Sequence, residues 1–171
     1  MSGDTRKLAR LALLAAAALV LGYVESLFPP LVPTVPGIKL GLANTVLLYA
    51  VYLLGPGSAW ALMLVKVVLS AALYAGFGPM LFSLGGGVLS LTAMLALRRL
   101  AGGKVSVLGV SVAGAACHNL GQMLVFAVLG DLRAALIYLP WLLIAAAVTG
   151  VLTGLAAKYV IAALSKGEAG R

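Results

Sequence analysis

Lys66 and His118 are the two ionisable residues that lie deepest inside long apolar runs of this sequence. A charge at the centre of a membrane helix costs at least about 2.5–3.5 kcal/mol on insertion scales, so an ionisable residue at that depth is a functional candidate by default. An ammonium brings three hydrogen-bond donors and a full charge, and an imidazole donates, accepts or titrates near neutrality. The pair therefore points to recognition of a group that is anionic or accepts hydrogen bonds. Ser70 and Tyr74 follow Lys66 at i+4 and i+8, which makes one polar stripe on a helix. Asn119 is next to His118, and Gln122 lies one turn further along the same face. Gly114 and Gly121 share that face and let a helix or a ligand approach closely. Ser83, Gly87 and Ser90 form a second polar face beside the triplet Gly85-Gly86-Gly87. Such a triplet weakens a spanning helix and can release backbone carbonyls to line a cavity. Glu25 and Lys39 frame a proline-rich segment, and Asn44 lies deeper in the apolar stretch that follows.

Each of these residues also has a plainer role open to it. Glu25 and Lys39 can pair at the membrane boundary and only anchor the segment between them, because boundary charges are cheap relative to central ones. His118 can be a neutral imidazole satisfied by Asn119 or by a backbone carbonyl. Asn44, Asn119 and Gln122 can act as interhelical hydrogen-bond glue, and the glycines can serve packing alone, as can the small-xxx-small motif from Gly150 to Gly154. Lys66 fits a structural role least well because of its depth. The site residues expected for substrate binding are thus Lys66, His118, Asn119, Gln122, Asn44, Lys39, Glu25, Ser83 and Ser90.

Other chemistries lack their residues. One His, one Cys and no close pair of carboxylates leave a zinc or di-iron site without ligands. No acidic cluster is present to hold Mg²⁺ on a diphosphate, and no glycine–lysine loop of the ATPase type occurs. No catalytic residue, metal or cofactor is expected.

The elements that must position these side chains are membrane helices. Of 171 residues, 63% are hydrophobic and 9% charged, against about 45–50% and about 25% in soluble domains. Six apolar stretches lie near the length needed to cross a bilayer, at 8–27, 39–54, 59–76, 80–97, 105–129 and 135–164. The second is short and the last is long. The breaks between them are turn signals: four prolines within Phe28–Gly37, then Gly55-Pro56-Gly57, Gly76-Phe77-Gly78-Pro79, Gly102-Gly103 and Gly130-Asp131. Short connections make neighbouring helices antiparallel. The chain reads as a single transmembrane domain over 1–171, an all-α integral membrane bundle of about six helices. Arg6, Lys7 and Arg10 before the first stretch resemble a secretory signal, but the run lacks a convincing cleavage site and is read as a retained helix.

Twelve basic and four acidic residues give a net charge of +8. In a soluble protein this would suggest nucleic acid, but no basic–aromatic interleaving supports that partner, and the charges cluster at segment ends. Arg6, Lys7, Arg10, Arg98, Arg99, Lys104, Lys158, Lys166 and Arg171 all fall at one set of ends. By the positive-inside rule both termini are expected in the cytoplasm of a bacterial cell, with the bundle in the plasma membrane.

The segments Glu25-Ser26, Pro36-Gly37-Ile38-Lys39-Leu40-Gly41-Leu42-Ala43-Asn44, Ser83-Leu84-Gly85-Gly86-Gly87 with Ser90, and Gly114 to His118-Asn119-Leu120-Gly121-Gln122 resemble the bacterial Gx transporter family. That family is often labelled heptaprenyl diphosphate synthase component I, and the resemblance extends over nearly the whole chain. The family is in turn similar to the S components of energy-coupling factor (ECF) transporters. The resemblance implies a six-helix substrate-capturing subunit that works with a transmembrane coupling protein and two ATPases, and it implies that Ala12 and Ala16 face that coupling protein. The synthase label conflicts with the residues, since prenyl diphosphate synthases are soluble and carry acidic Mg²⁺ motifs. The expectation is a membrane subunit that takes up a small molecule, a vitamin or cofactor precursor of anionic or amphipathic character. A noncatalytic partner in heptaprenyl diphosphate or menaquinone side-chain synthesis, and a stand-alone carrier, remain as competitors.

Overall fold

A computed structural model describes residues 3–27, 42–101 and 104–169. The described chain is all helical: α1 (Gly3–Ser26), α2 (Leu42–Leu53), α3 (Pro56–Ser70) continued by a π-helical turn (Ala71–Ala75), α4 (Phe77–Leu100), α5 (Val107–Leu129) and α6 (Leu132–Ala169). Among the described residues, five helices are long and apolar enough to cross a membrane, and the described part of α2 is a shorter apolar helix. At 1.5 Å per residue, the 12 described residues of α2 cover about 18 Å of a hydrocarbon core of about 30 Å. The expected start of this helix at Lys39 lies outside the described residues.

Local chemistry sets the boundaries. Gly55 and Gly76 adopt φ of 84° and 83°, a region open to glycine at little cost. Pro56 then occupies the first position of α3, where its missing N–H would be unpaired in any case. Ser106 caps α5 by accepting a hydrogen bond from the Gly109 amide at 3.1 Å. Asp131 does the same for the start of α6, accepting from the Arg133 amide at 2.8 Å. Pro140 lies within α6, yet the helix continues past it.

The bundle is apolar outside as well as inside. Leu13, Trp141, Leu73 and Val128 are 67–82% exposed, which suits hydrocarbon rather than water. Inside, Leu48, Val51, Met63, Leu91 and Val110 are almost wholly buried. The helices alternate in direction, so one end of the bundle gathers Lys7, Arg10, Arg98, Arg99, Lys104 and Lys158. At that basic end Arg98 reaches across from α4, donates to the Val51 carbonyl near the end of α2 and lies over the Tyr52 ring at 4.9 Å. A cation there complements the partial negative charge of the helix C-terminus.

The glycines act through closeness. A Cβ on Gly121 would collide with the Gly85 carbonyl oxygen and come within 2.8 Å of Gly86 Cα, so α4 and α5 meet backbone to backbone. A Cβ on Gly150 would stand 2.7 Å from Val112 Cα, and one on Gly154 would stand 2.9 Å from Ser111 Cβ, which brings α5 against α6. The weakening expected at the Gly85–Gly87 triplet is not seen, while Gly87 does line a cavity. α4 runs unbroken through the triplet, and the three glycines receive Val125, His118 and Met63.

Candidate functional site

The polar residues of the sequence converge on one cavity of about 360 Å³ in the half of the bundle away from the basic end. This volume is within the range of about 300–1,000 Å³ typical of small-molecule sites. Its walls come from five helices. The antiparallel alternation brings the C-terminal end of α1, the N-terminal end of α2, the second half of α3, the N-terminal half of α4 and the middle of α5 to one level.

Glu25, Asn44, Lys66, Ser83, His118, Asn119 and Gln122 all line it, so seven of the nine residues expected at the site meet there. Glu25 and Gln122 are only 6% and 5% exposed. Lys66 Nζ donates to Asn44 Oδ1 at 3.2 Å, which ties α3 to α2 and orients the ammonium. Asn119 Nδ2 donates to the Leu142 carbonyl at 2.8 Å. This fixes the Asn119 amide against α6, so part of its role is the interhelical bonding open to it from its residue type. His118 lies against α4, where a Cβ at Gly86 would be 2.8 Å from its ring. The glycine there is what lets the imidazole fit beside the helix.

Two expected residues fall elsewhere. Lys39 lies outside the described residues. Ser90 does not reach the cavity, because it sits two turns beyond Ser83 toward the basic end, and it lines a second, much smaller chamber. Ala12 and Ala16 are exposed on α1.

Several lining residues were not among the expected site residues. Tyr74 contacts the Tyr23 ring edge-on at 5.6 Å. It also leans on Gly22, where a Cβ would stand 2.6 Å from its oxygen. The i, i+4, i+8 stripe from Lys66 contained this signal. The π-helical turn that ends the stripe, a distortion frequent at functional sites, had none. Phe82, which packs near Phe126 at 6.5 Å, and Ser26 also line the cavity.

The arrangement suits binding. A few convergent donors stand in an otherwise apolar wall of Leu47, Met63, Val67 and Phe82. Among the described residues, no group of three or more His, Cys, Asp or Glu could hold a metal ion. No curated protein and no solved structure shows a significant match to the chain. Residues 14–160, which carry every described wall of the cavity, match the family model of heptaprenyl diphosphate synthase component I, and this multi-pass membrane protein belongs to that family.

Proposed function

We propose that the chain is the substrate-capturing subunit of a small-molecule uptake system in the bacterial plasma membrane, without catalytic activity of its own. The observation that carries this reading is a cavity of about 360 Å³ within a membrane bundle, lined by Lys66, His118 and the amides of Asn44, Asn119 and Gln122. Polar groups held at membrane depth mark a path or a site for a polar molecule. An ammonium and an imidazole within largely apolar walls favour a ligand with an anionic or accepting head and an apolar body. The clustering of basic residues at the opposite end supports an orientation with the cavity toward the outside and both termini in the cytoplasm. The resemblance to S components of ECF transporters adds a coupling protein and ATPases as working partners. ATP-driven transport would need such partners, since the sequence holds no ATPase loop.

Purification of the intact protein with whatever accompanies it tests the reading. Native mass spectrometry is expected to find a retained small molecule, and affinity capture from membranes is expected to bring down ATPase subunits. Lys66→Ala and His118→Ala should still insert and fold but lose the ligand. A charged hydrogen bond contributes about 1.5–3 kcal/mol, which is about a 10- to 150-fold loss of affinity. Full affinity in both variants would overturn the site.

The family description favours a second reading, a noncatalytic membrane component associated with heptaprenyl diphosphate synthesis. Under it, the same capture brings down a soluble prenyl diphosphate synthase and no ATPase.

A further inference from the structure

Beneath the floor of the cavity lies a second chamber of about 30 Å³. Asn44, His118 and Asn119 line both spaces, so they separate the two. The rest of the chamber's polar wall is made of hydroxyls: Ser90 from α4, Ser111 from α5, and Thr149 and Thr153 from α6. These four residues are 2%, 5%, 9% and 6% exposed. The Ser111 and Thr153 oxygens share a hydrogen bond at 2.9 Å, and the Thr153 oxygen also stands 2.9 Å from the Thr149 carbonyl and 3.2 Å from the Gly150 carbonyl. Thr149 has only a long bond, 3.4 Å, to the Ala146 carbonyl. The Ser90 hydroxyl makes no hydrogen bond to any described residue.

We infer that this chamber is a binding site for ordered water, one or two molecules that join Ser90 of α4 to Thr149 and the Ser111–Thr153 pair. A cavity needs about 10–15 Å³ to admit a water and two to four polar partners to hold it, and this one meets both conditions. Left dry, it would bury hydroxyls with unused hydrogen-bonding capacity in a low-dielectric interior, which proteins rarely tolerate. A small cation is the other occupant that such neutral oxygens accept. The Lys66 ammonium, 3.2 Å from Asn44 Oδ1, argues against it. A cation on that same oxygen would stand roughly 4–5 Å from the ammonium, and at an effective dielectric near 20 the repulsion lowers its occupancy by at least about a hundredfold. The water therefore supports Asn44, His118 and Asn119 from below, on the side opposite the cavity.

Thermal unfolding of the full chain in detergent tests this assignment. Ser90→Ala and Thr149→Val each remove one hydroxyl and keep its shape. The two residues share no direct bond, so a common water is what couples them. The double variant is expected to melt no lower than the weaker single variant, whereas additive losses in Tm would overturn the proposal. Ala115 also lines the chamber, and Ala115→Val would fill it. Lower Tm is expected as water is expelled and the hydroxyls are stranded, while a higher Tm would show a dry void and refute the water. Replacing choline chloride with sodium chloride should leave the Tm of the unmodified protein unchanged. A rise specific to sodium would assign the chamber to a cation instead.

Discussion

The two halves of the bundle are packed in different ways. α5 packs against α4 and α6 far more extensively than α1, α2 and α3 pack against one another. Their contact runs through glycines whose Cβ position is already occupied by a neighbour's backbone, as at Gly121 against Gly85 and Gly150 against Val112. In the other half the comparable glycine is Gly22, where the close neighbour is the tip of the Tyr74 side chain and Ala43 Cβ stands at an ordinary 3.9 Å. Backbone-to-backbone contact has no soft coordinate, whereas a phenol can swing aside. The cavity lies on the boundary between these regions, with His118, Asn119, Gln122 and Ser83 on the rigid side and Glu25, Asn44, Lys66 and Tyr74 on the compliant side. The lesson is that one wall of the site is held in place while the other is able to adapt to what it holds.

Substitutions along the two seams measure how deep this contrast goes. Gly121→Ala should be the most damaging, because its methyl enters the Gly85 carbonyl. A loss of about 3 kcal/mol or more is expected, read as loss of a monodisperse folded peak in size-exclusion chromatography. Gly22→Ala applies the same methyl to the compliant side. Tyr74 should rotate away at a cost of about 1 kcal/mol, seen as a small drop in Tm with folding retained. If the two variants behaved alike, the distinction between the halves would fail. Gly57→Ala, in the first turn of α3 with nothing within 4 Å of its Cβ position, sets the baseline. It should be neutral or stabilise by up to about 1 kcal/mol through reduced backbone entropy, visible as an unchanged or slightly higher Tm.

Much of this organisation was legible in the sequence. Proline and glycine clusters gave the helix limits closely, because breaks in a spanning helix must be chemically marked. Lys66, His118 and Gln122 identified themselves, since polarity inside an apolar run costs too much to be incidental. Other residues of the site lack that contrast. Tyr74 lies on the polar stripe that starts at Lys66, whereas Phe82 carries no polarity to set it apart, and only the neighbouring helices decide that it faces a cavity. Ser90 shares a face with Ser83, which points to one common site, but the two differ in depth, and depth is decided by where α4 crosses α5. The close approach at Gly85–Gly121 was suggested by residue type. Its consequence, an α4 that stays continuous through three glycines, depends on α5 filling the groove they leave.

The depth of the cavity has an electrical consequence. α2 touches α1, α3, α4 and α6, and its N-terminal residues Ala43, Asn44 and Leu47 already belong to the cavity wall. With water or a polar ligand in that cavity, the insulating layer at the centre of the bundle thins to the band of Leu48, Val51, Leu91 and Val110, beyond which Arg98 meets the end of α2. A membrane potential then falls mainly across this band instead of across the full bilayer. Under the proposed uptake role, a charged solute crossing it would gain or lose about 2.3 kcal/mol per unit charge for each 100 mV, and nearly all the voltage-dependent work would fall in one apolar layer a few side chains thick.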